Sequence, residues 1–418
     1  MKRTLFTIAG AIALIFSSCS KADFSFDDYP YAPEKADGGA IMGDSSDNGG
    51  GQGGQAGKVT AGEWNDLDNW LFWGKLMTNT PDEQNEQGDQ SDPDNQQRVN
   101  YRELTNQWKF NTSQRVAVRV TDGSGKALPG ISVHLLQAGK TLWMSRTDVF
   151  GRADCWVGMF DGNDNANGLT ISLDGAEMPG SPEITAWGDE VKLNEYTQTN
   201  STQTASQYDA DILFIVDATG SMGDEIEYLK ADLVDIINKA RNQNLQVKLR
   251  TGALFYRDEG DDYLTRVSQF SDNLDDTKKF ISKQSAGGGG DYPEAVHTAL
   301  EHSIQKLSWN NGARTKLAFM LLDAPAHIDQ QGVIESLHKS VEYYAAQGIK
   351  LIPVASSGVD KSTEFMLRLF SITTGGTYVF LTDDSGIGGE HLEATVGEYD
   401  VEILGDLMVR LITKYVAG

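Results

Sequence analysis

Asp211-Ile-Leu-Phe-Ile-Val216-Asp217-Ala-Thr219-Gly-Ser221-Met222 is the stretch on which the fold turns. Its apolar run up to Val216 is nearly continuous, which reads as a strand covered on both faces and therefore as part of a parallel sheet between helix layers. Beyond it Ile226, Leu229, Leu233, Ile236, Ile237 and Ala240 recur at helical spacing. Outward from there the same alternation repeats. Gln246–Tyr256, Leu317–Leu322 and Ile349–Val354 read as strands, and Thr377–Leu381 as extended. Asp275–Gln284, Ala295–Leu307, Val333–Ala346, Phe365–Phe370 and Val401–Tyr415 read as helices. Residues 208–418 are thus expected to form an α/β domain with a doubly wound, mostly parallel sheet.

In such folds ligands sit beyond the carboxyl ends of the strands, and there Asp217, Thr219 and Ser221 follow the first strand. One carboxylate and two hydroxyls on a tight turn suit a hard divalent ion that takes oxygen ligands and keeps some of its water. Gly220 gives the turn room. A Ser or Thr after a strand is also a common helix cap, so the pentapeptide alone leaves both readings open. Three further stretches bear on the choice: Phe255-Tyr-Arg-Asp-Glu-Gly-Asp-Asp-Tyr-Leu-Thr265, the glycine run Gly287-Gly-Gly-Gly-Asp291-Tyr-Pro-Glu294, and Leu322-Asp323-Ala-Pro-Ala-His327.

These four motifs, in this order, resemble von Willebrand factor A-type domains, from about Ala210 to the C-terminus. The resemblance implies a metal-ion-dependent adhesion site for Mg2+ (or Ca2+ or Mn2+) formed by Asp217, Thr219, Ser221, Asp291 and Asp323. It also implies a protein partner that offers a carboxylate to the ion. His327, Glu294 and Arg257 fall at the expected rim. One departure stands out, because Asp291 occupies a place where better-known adhesion domains carry Thr. Three carboxylates facing a doubly charged ion would hold it firmly but weaken its pull on an acidic ligand. Asp291 acting through water, or pairing with Arg257, fits the sequence equally.

Other chemistry is sparsely represented. His297 and His302 are five apart and do not share a helix face, and no His-Glu-x-x-His, Gly-x-Ser-x-Gly or phosphate-loop pattern occurs. Asp258, Asp261 and Asp262 read either as solvated acids or as a second cation site. No enzymatic activity is expected of the chain.

The remainder sets the context. With 35 Lys and Arg against 60 Asp and Glu, the net charge of −25 argues against a nucleic-acid partner. Lys2 and Arg3 precede an apolar run from Leu5 to Phe16, too short to span a bilayer, which reads as a secretory signal. Residues 1–19 end in Phe-Ser-Ser-Cys19, which resembles the bacterial lipobox and implies lipidation of Cys19, membrane anchoring, and a place in the bacterial cell envelope, at the outer membrane or cell surface. The Gly-, Asp- and Ser-rich residues 20–62 read as a flexible tether. Residues 63–110, with Trp64, Trp70, Phe72 and Trp73 and a polar stretch from Pro81 to Gln97, read as a segment that docks on a folded neighbour.

From 111 to 195 the pattern is β. Val116, Val118 and Val120 alternate, as do Ile131, Val133 and Leu135, with turns at Asp122–Gly125 and Asp148–Gly151. An all-β sandwich preceding the C-terminal domain follows, with Cys155 as a buried thiol. The runs Val118–Val133 and Thr147–Ala153 resemble the carboxypeptidase-regulatory-like sandwich, which implies a spacer or adhesion module. Asp161–Asn167 reads as an acidic turn or a Ca2+ loop, and 196–207 as a polar linker. The expected function is that of a lipid-anchored surface binding protein that engages a protein through its metal site. The alternatives are a metal-stabilised scaffold for envelope assembly and a metal-assisted hydrolase.

Overall fold

The computed structural model describes residues 59–78, 100–198, 206–244, 246–383 and 391–417. All of them belong to the compact unit Gln52–Gly418. Cys19, most of the expected tether and the polar stretch Pro81–Gln97 lie outside the described residues.

Strand β1 (Thr60–Trp64) comes first, then helices α1 (Trp70–Thr78) and α2 (Tyr101–Trp108). Eight short strands follow: β2 (Gln114–Thr121), β3 (Ser132–Gln137), β4 (Lys140–Arg146), β5 (Arg152–Trp156), β6 (Leu169–Leu173), β7 (Ala176–Glu177), β8 (Thr185–Ala186) and β9 (Leu193–Thr197). They make two four-stranded sheets, β5-β2-β8 with β9 also on β2, and β4-β3-β6-β7. The alternating side chains Val116, Val118, Val120, Ile131, Val133 and Leu135 are buried, and so is the free thiol of Cys155, whose pKa burial pushes up. In the Asp161–Asn167 loop, Asp161, Asn163 and Asn165 each accept a hydrogen bond from the backbone N–H two residues on, at 2.9, 3.2 and 3.2 Å. Local turn formation accounts for that composition.

The C-terminal part alternates as expected: β10 (Ser206–Asp217), α3 (Gly223–Gln243), β11 (Lys248–Tyr256), β12 (Thr265–Ser271), α4 (Leu274–Ile281), α5 (Val296–Gln305), β13 (Ala313–Leu322), α6 (Val333–Gln347), β14 (Ile349–Ala355), α7 (Lys361–Thr374), β15 (Tyr378–Thr382), β16 (Glu402–Ile403) and α8 (Leu404–Ala417). The sheet runs β12-β11-β10-β13-β14-β15-β1-β16, parallel from β11 to β15. Strand β12 is antiparallel to β11, and β1 is antiparallel to both β15 and β16. Successive β10 residues feed opposite layers. Leu213 and Ile215 join the cluster containing α5, α6 and α7, whereas Ile212, Phe214 and Val216 join the one containing α3, α4 and α8. That division is why the run carries no polar interruption.

Two expected boundaries need correction. The tether drawn to residue 62 ends sooner, because Thr60–Trp64 pairs residue by residue with Thr382–Tyr378 and buries Val59, Ala61 and Trp64. The linker drawn over 196–207 is shorter at both ends. Tyr196 and Thr197 pair with Val120 and Thr121, and Ser206 pairs with Ala313. In each case ladder hydrogen bonds to a distant strand order a polar stretch that has no period of its own.

Aromatic residues join the layers. Trp73 stacks on Phe365 at 5.8 Å between centroids, and Trp108 Nε1 donates to Ser362 Oγ at 3.0 Å, both partners lying on α7. The β-sandwich rests on α6 and the start of β14. Phe160 stacks on His338 at 4.2 Å, Arg146 Nε donates to the Ala346 carbonyl at 3.1 Å, and Asp148 pairs with Lys350 at 3.4 Å. No described helix is long and apolar enough to cross a membrane.

Candidate functional site

The order β11-β10-β13 places the direction change of the sheet at β10, so the ends of β10 and β13 flank the crevice where ligands collect in such folds. Asp217 is the last residue of β10 and Asp323 follows β13 directly. Asp217 is completely buried, and its Oδ1 accepts from Thr219 N at 2.9 Å and Thr219 Oγ1 at 2.7 Å. Thr219 Oγ1 lies 3.4 Å from Ser221 Oγ, which begins to line up the two hydroxyls. A short 3-10 turn, Gly220–Met222, then leads into α3.

Two buried oxygens, Asp217 Oδ2 and Asp323 Oδ1, have no hydrogen-bond partner among the described residues. Burial, then the charge of Asp323, pushes the Asp217 pKa up to about 7. Asp323 is raised as well, by its own burial and then by Glu225, although the Ser221 hydroxyl partly counters this. Glu294 is 3 % exposed and its Oε2 also lacks a partner. Burial followed by the charges of Asp217, Asp258, Asp323 and Asp261 pushes its pKa up to about 9. Like charges crowded in a dry crevice are what a cation relieves.

The glycine run is fastened to this turn. Gly287 N donates to the Ala218 carbonyl and Gly220 N to the Gly288 carbonyl, each at 3.1 Å. Gly289 has φ +71°, and a Cβ there would stand 2.9 Å from Glu294 Oε1 and 3.2 Å from Thr219 Cβ. Asp261 Oδ2 secures the run from the other side, accepting from Gly289 N at 2.9 Å and Asp258 N at 3.1 Å. Arg257 acts as a brace, donating through Nε to the Ala218 carbonyl at 3.1 Å and through Nη2 to the Ser285 carbonyl at 3.0 Å.

The structure therefore gathers Asp217, Thr219, Ser221 and Asp323 at the strand ends, with Glu294 buried beside them rather than at the rim. Asp291 is exposed, and a carboxylate oxygen of it groups with Asp258 and His327, one ligand atom from each lying within 4.8 Å of the others. His327 Nε2 and Asp258 Oδ1 are 2.8 Å apart. Two residues near the site escaped the sequence reading: Tyr256, whose hydroxyl bears on Asp217, and the buried Glu225, which is hydrogen-bonded by Ser357 Oγ; Asp261, read as a solvated acid or a second-site ligand, instead anchors the glycine loop. A signal for Asp261 was available in its repeated acidic neighbourhood. Nothing local marked Glu225, which sits on an ordinary amphipathic helix.

Residues 211–346 match the family model of the von Willebrand factor A domain, so the chain carries such a domain in its C-terminal part. Among curated proteins, it is 34 % identical over 119 residues to the alpha-protein kinase vwkA of Dictyostelium discoideum, covering 28 % of this chain and 19 % of that protein. It is 33 % identical over 123 residues to the putative ariadne-like RING finger protein R811 of Acanthamoeba polyphaga mimivirus, covering 28 % and 11 % respectively. The chain thus spans less than a fifth of either relative. Among solved structures, BatB from Bacteroides thetaiotaomicron is 12 % identical at a TM-score of 0.35, covering 50 % of this chain and 100 % of BatB. The pilus adhesin SpaC from Lactobacillus rhamnosus GG is 11 % identical at 0.36, covering 52 % and 32 %. Scores this low define neither a shared fold nor a shared function.

Proposed function

We propose that the crevice beyond β10 and β13 holds one divalent cation, Mg2+ by the chemistry of its donors, and that the chain uses it to bind a protein. Asp217, Thr219, Ser221 and Asp323 would hold the ion, all through oxygen, as a hard cation requires. The observation that carries this reading is the pair of buried, partnerless oxygens Asp217 Oδ2 and Asp323 Oδ1 at one strand edge. Left without a cation, such groups cost free energy that the Tyr256 hydroxyl at Asp217 and the Ser221 hydroxyl at Asp323 offset only in part, since both carboxyl pKa values stay raised. When bound, the ion supplies a coordination position that a carboxylate of the partner can complete. Family precedent supports protein recognition, since von Willebrand factor A domains commonly serve that purpose. Anchoring through Cys19 in a bacterial envelope remains part of the proposal and rests on residues 1–19 alone.

Calorimetric titration of the full chain with Mg2+, followed by partner capture on the immobilised chain with and without EDTA, tests both halves. Mg2+ binding is expected in the wild type and not in Ser221→Ala, and capture is expected to need both the ion and Ser221. Capture that persists in EDTA and in Ser221→Ala would favour a metal-independent scaffold.

A further inference from the structure

We infer that the domain carries a second cation site, with mixed nitrogen and oxygen donors, formed by Asp258, Asp291 and His327 beside the first. The three residues come from different elements. Asp258 lies two residues past β11, Asp291 ends the glycine run, and His327 lies four residues past Asp323. Only the fold brings them to the same strand edge. Asp258 and His327 are buried, at 7 % and 5 % exposure, whereas Asp291 stands at the mouth. Their ligand-capable atoms lie within 4.8 Å of one another. Tetrahedral donors about 2.1 Å from an ion stand about 3.4 Å apart, so the Asp258–His327 pair, now hydrogen-bonded at 2.8 Å, would open slightly to admit the ion while Asp291 closes on it. The glycines preceding Asp291 give its loop that latitude.

A second, separate observation points to a ligand here. Glu294 is 97 % buried by its 3 % exposure, its backbone N–H is fixed to the Pro325 carbonyl at 2.8 Å, and its Oε2 has no partner. The charges of both Asp217 and Asp258 bear on that carboxyl. The nearby His297 adds a buried Nδ1 without a partner among the described residues, and both His327 and Asp258 act on its ring. A lone Asp–His hydrogen bond would account for Asp258 and His327 but not for the Asp291 carboxylate grouped with them.

The donor set distinguishes this site from the first. Oxygen donors alone suit Mg2+, but an imidazole beside two carboxylates suits a borderline transition ion such as Zn2+. Three protein donors leave a coordination position for water or a ligand.

Equilibrium dialysis of the untagged full-length chain against Zn2+, in millimolar Mg2+ to fill the first site, tests this. The readouts are bound zinc by elemental analysis and, with Co2+ as substitute, the visible ligand-field spectrum. One Zn2+ per chain is expected, with affinity reduced about tenfold or more in His327→Gln and in Asp291→Asn and unchanged in Ser221→Ala. Asp291 is exposed, so its substitution leaves the core intact even if His327→Gln disturbs folding. The Co2+ spectrum should change in His327→Gln. A wild-type chain that holds no Zn2+, or Zn2+ affinity unaltered in both variants, would overturn the inference. So would Zn2+ binding abolished by Ser221→Ala, which would place the ion in the first site. Because Ser221 serves only the first site and His327 only the second, either reading can fail without the other.

Discussion

Arg368 and Asp66 meet in a fully buried two-point bridge, Nε to Oδ2 at 2.9 Å and Nη2 to Oδ1 at 2.6 Å, across 302 positions of sequence. Trp64 Nε1 donates to the same Asp66 oxygen at 3.1 Å, and the Arg368 guanidinium lies over Trp73, 4.9 Å from the ring centroid. The residues after β1 are thereby tied to α7 inside the α/β domain. Asp66→Ala leaves a buried guanidinium short of its main partner and should cost about 3–5 kcal/mol in chemical denaturation. A loss under about 1 kcal/mol would mean that the segment is held by its aromatic contacts alone.

The crowded carboxylates make an opposite prediction about the site. Without metal, Asp323→Asn removes a charge that repels Asp217, so its melting temperature in EDTA should equal or exceed that of the wild type. In Mg2+ the wild type should gain about 2.7 kcal/mol when the ion is present at a hundred times its Kd, and Ser221→Ala and Asp323→Asn should gain far less. Thermal melts with Mg2+ and with EDTA read both effects. A fall in the EDTA melting temperature of Asp323→Asn would show that the carboxylates are compensated in some other way.

Gly289 offers a test of loop geometry that leaves every donor in place. Alanine there must adopt φ +71° and meet Glu294 Oε1 at 2.9 Å. The backbone term alone is about 1–2 kcal/mol. Gly289→Ala should therefore weaken Mg2+ binding about tenfold or more in calorimetry while the circular dichroism spectrum stays native. Wild-type affinity in this variant would separate the glycine run from the cation.

The contact between the β-sandwich and α6 should respond to acid. Burial holds the His338 imidazole down to about 4, while its Nε2–H donates to the Trp108 carbonyl at 3.0 Å. In the unfolded chain the same ring titrates at about 6.5. Between these values the unfolded state takes up a proton that the folded state refuses, so stability is complete above about pH 6.5 and falls towards pH 4. The effect of this one ring is up to about 3 kcal/mol. His338→Gln, compared with the wild type by denaturation across this range, should lose that part of the pH dependence; parallel curves would assign it to other groups.

The α/β alternation was legible because each of its central strands is apolar on both faces, and β10 shows this within five residues, Ile212–Val216. Strand β1 was not legible. Thr-Ala-Gly-Glu-Trp has no local period, and its place is decided by β15, more than three hundred residues away. The candidate site divides in the same way. Asp217, Thr219 and Ser221 announce themselves as one turn at the end of a strand, and Asp323 as the residue after another. The Asp258–His327 contact joins residues 69 apart; each stood in a motif of its own, but nothing local paired them. Glu294 reads as a rim residue until the Pro325 carbonyl is seen to draw its backbone inward.

Strand β1 also bears on how the molecule is made. It lies between β15 and β16, so a piece of chain synthesised early is hydrogen-bonded only to pieces synthesised late. The sheet cannot be completed while the chain is still growing. Until then β1 has no mate and β15, once formed, has a bare flank. A product cut short before Tyr378 would keep the metal-site motifs yet never close its sheet, and an unpaired sheet edge is the kind of surface on which other chains assemble.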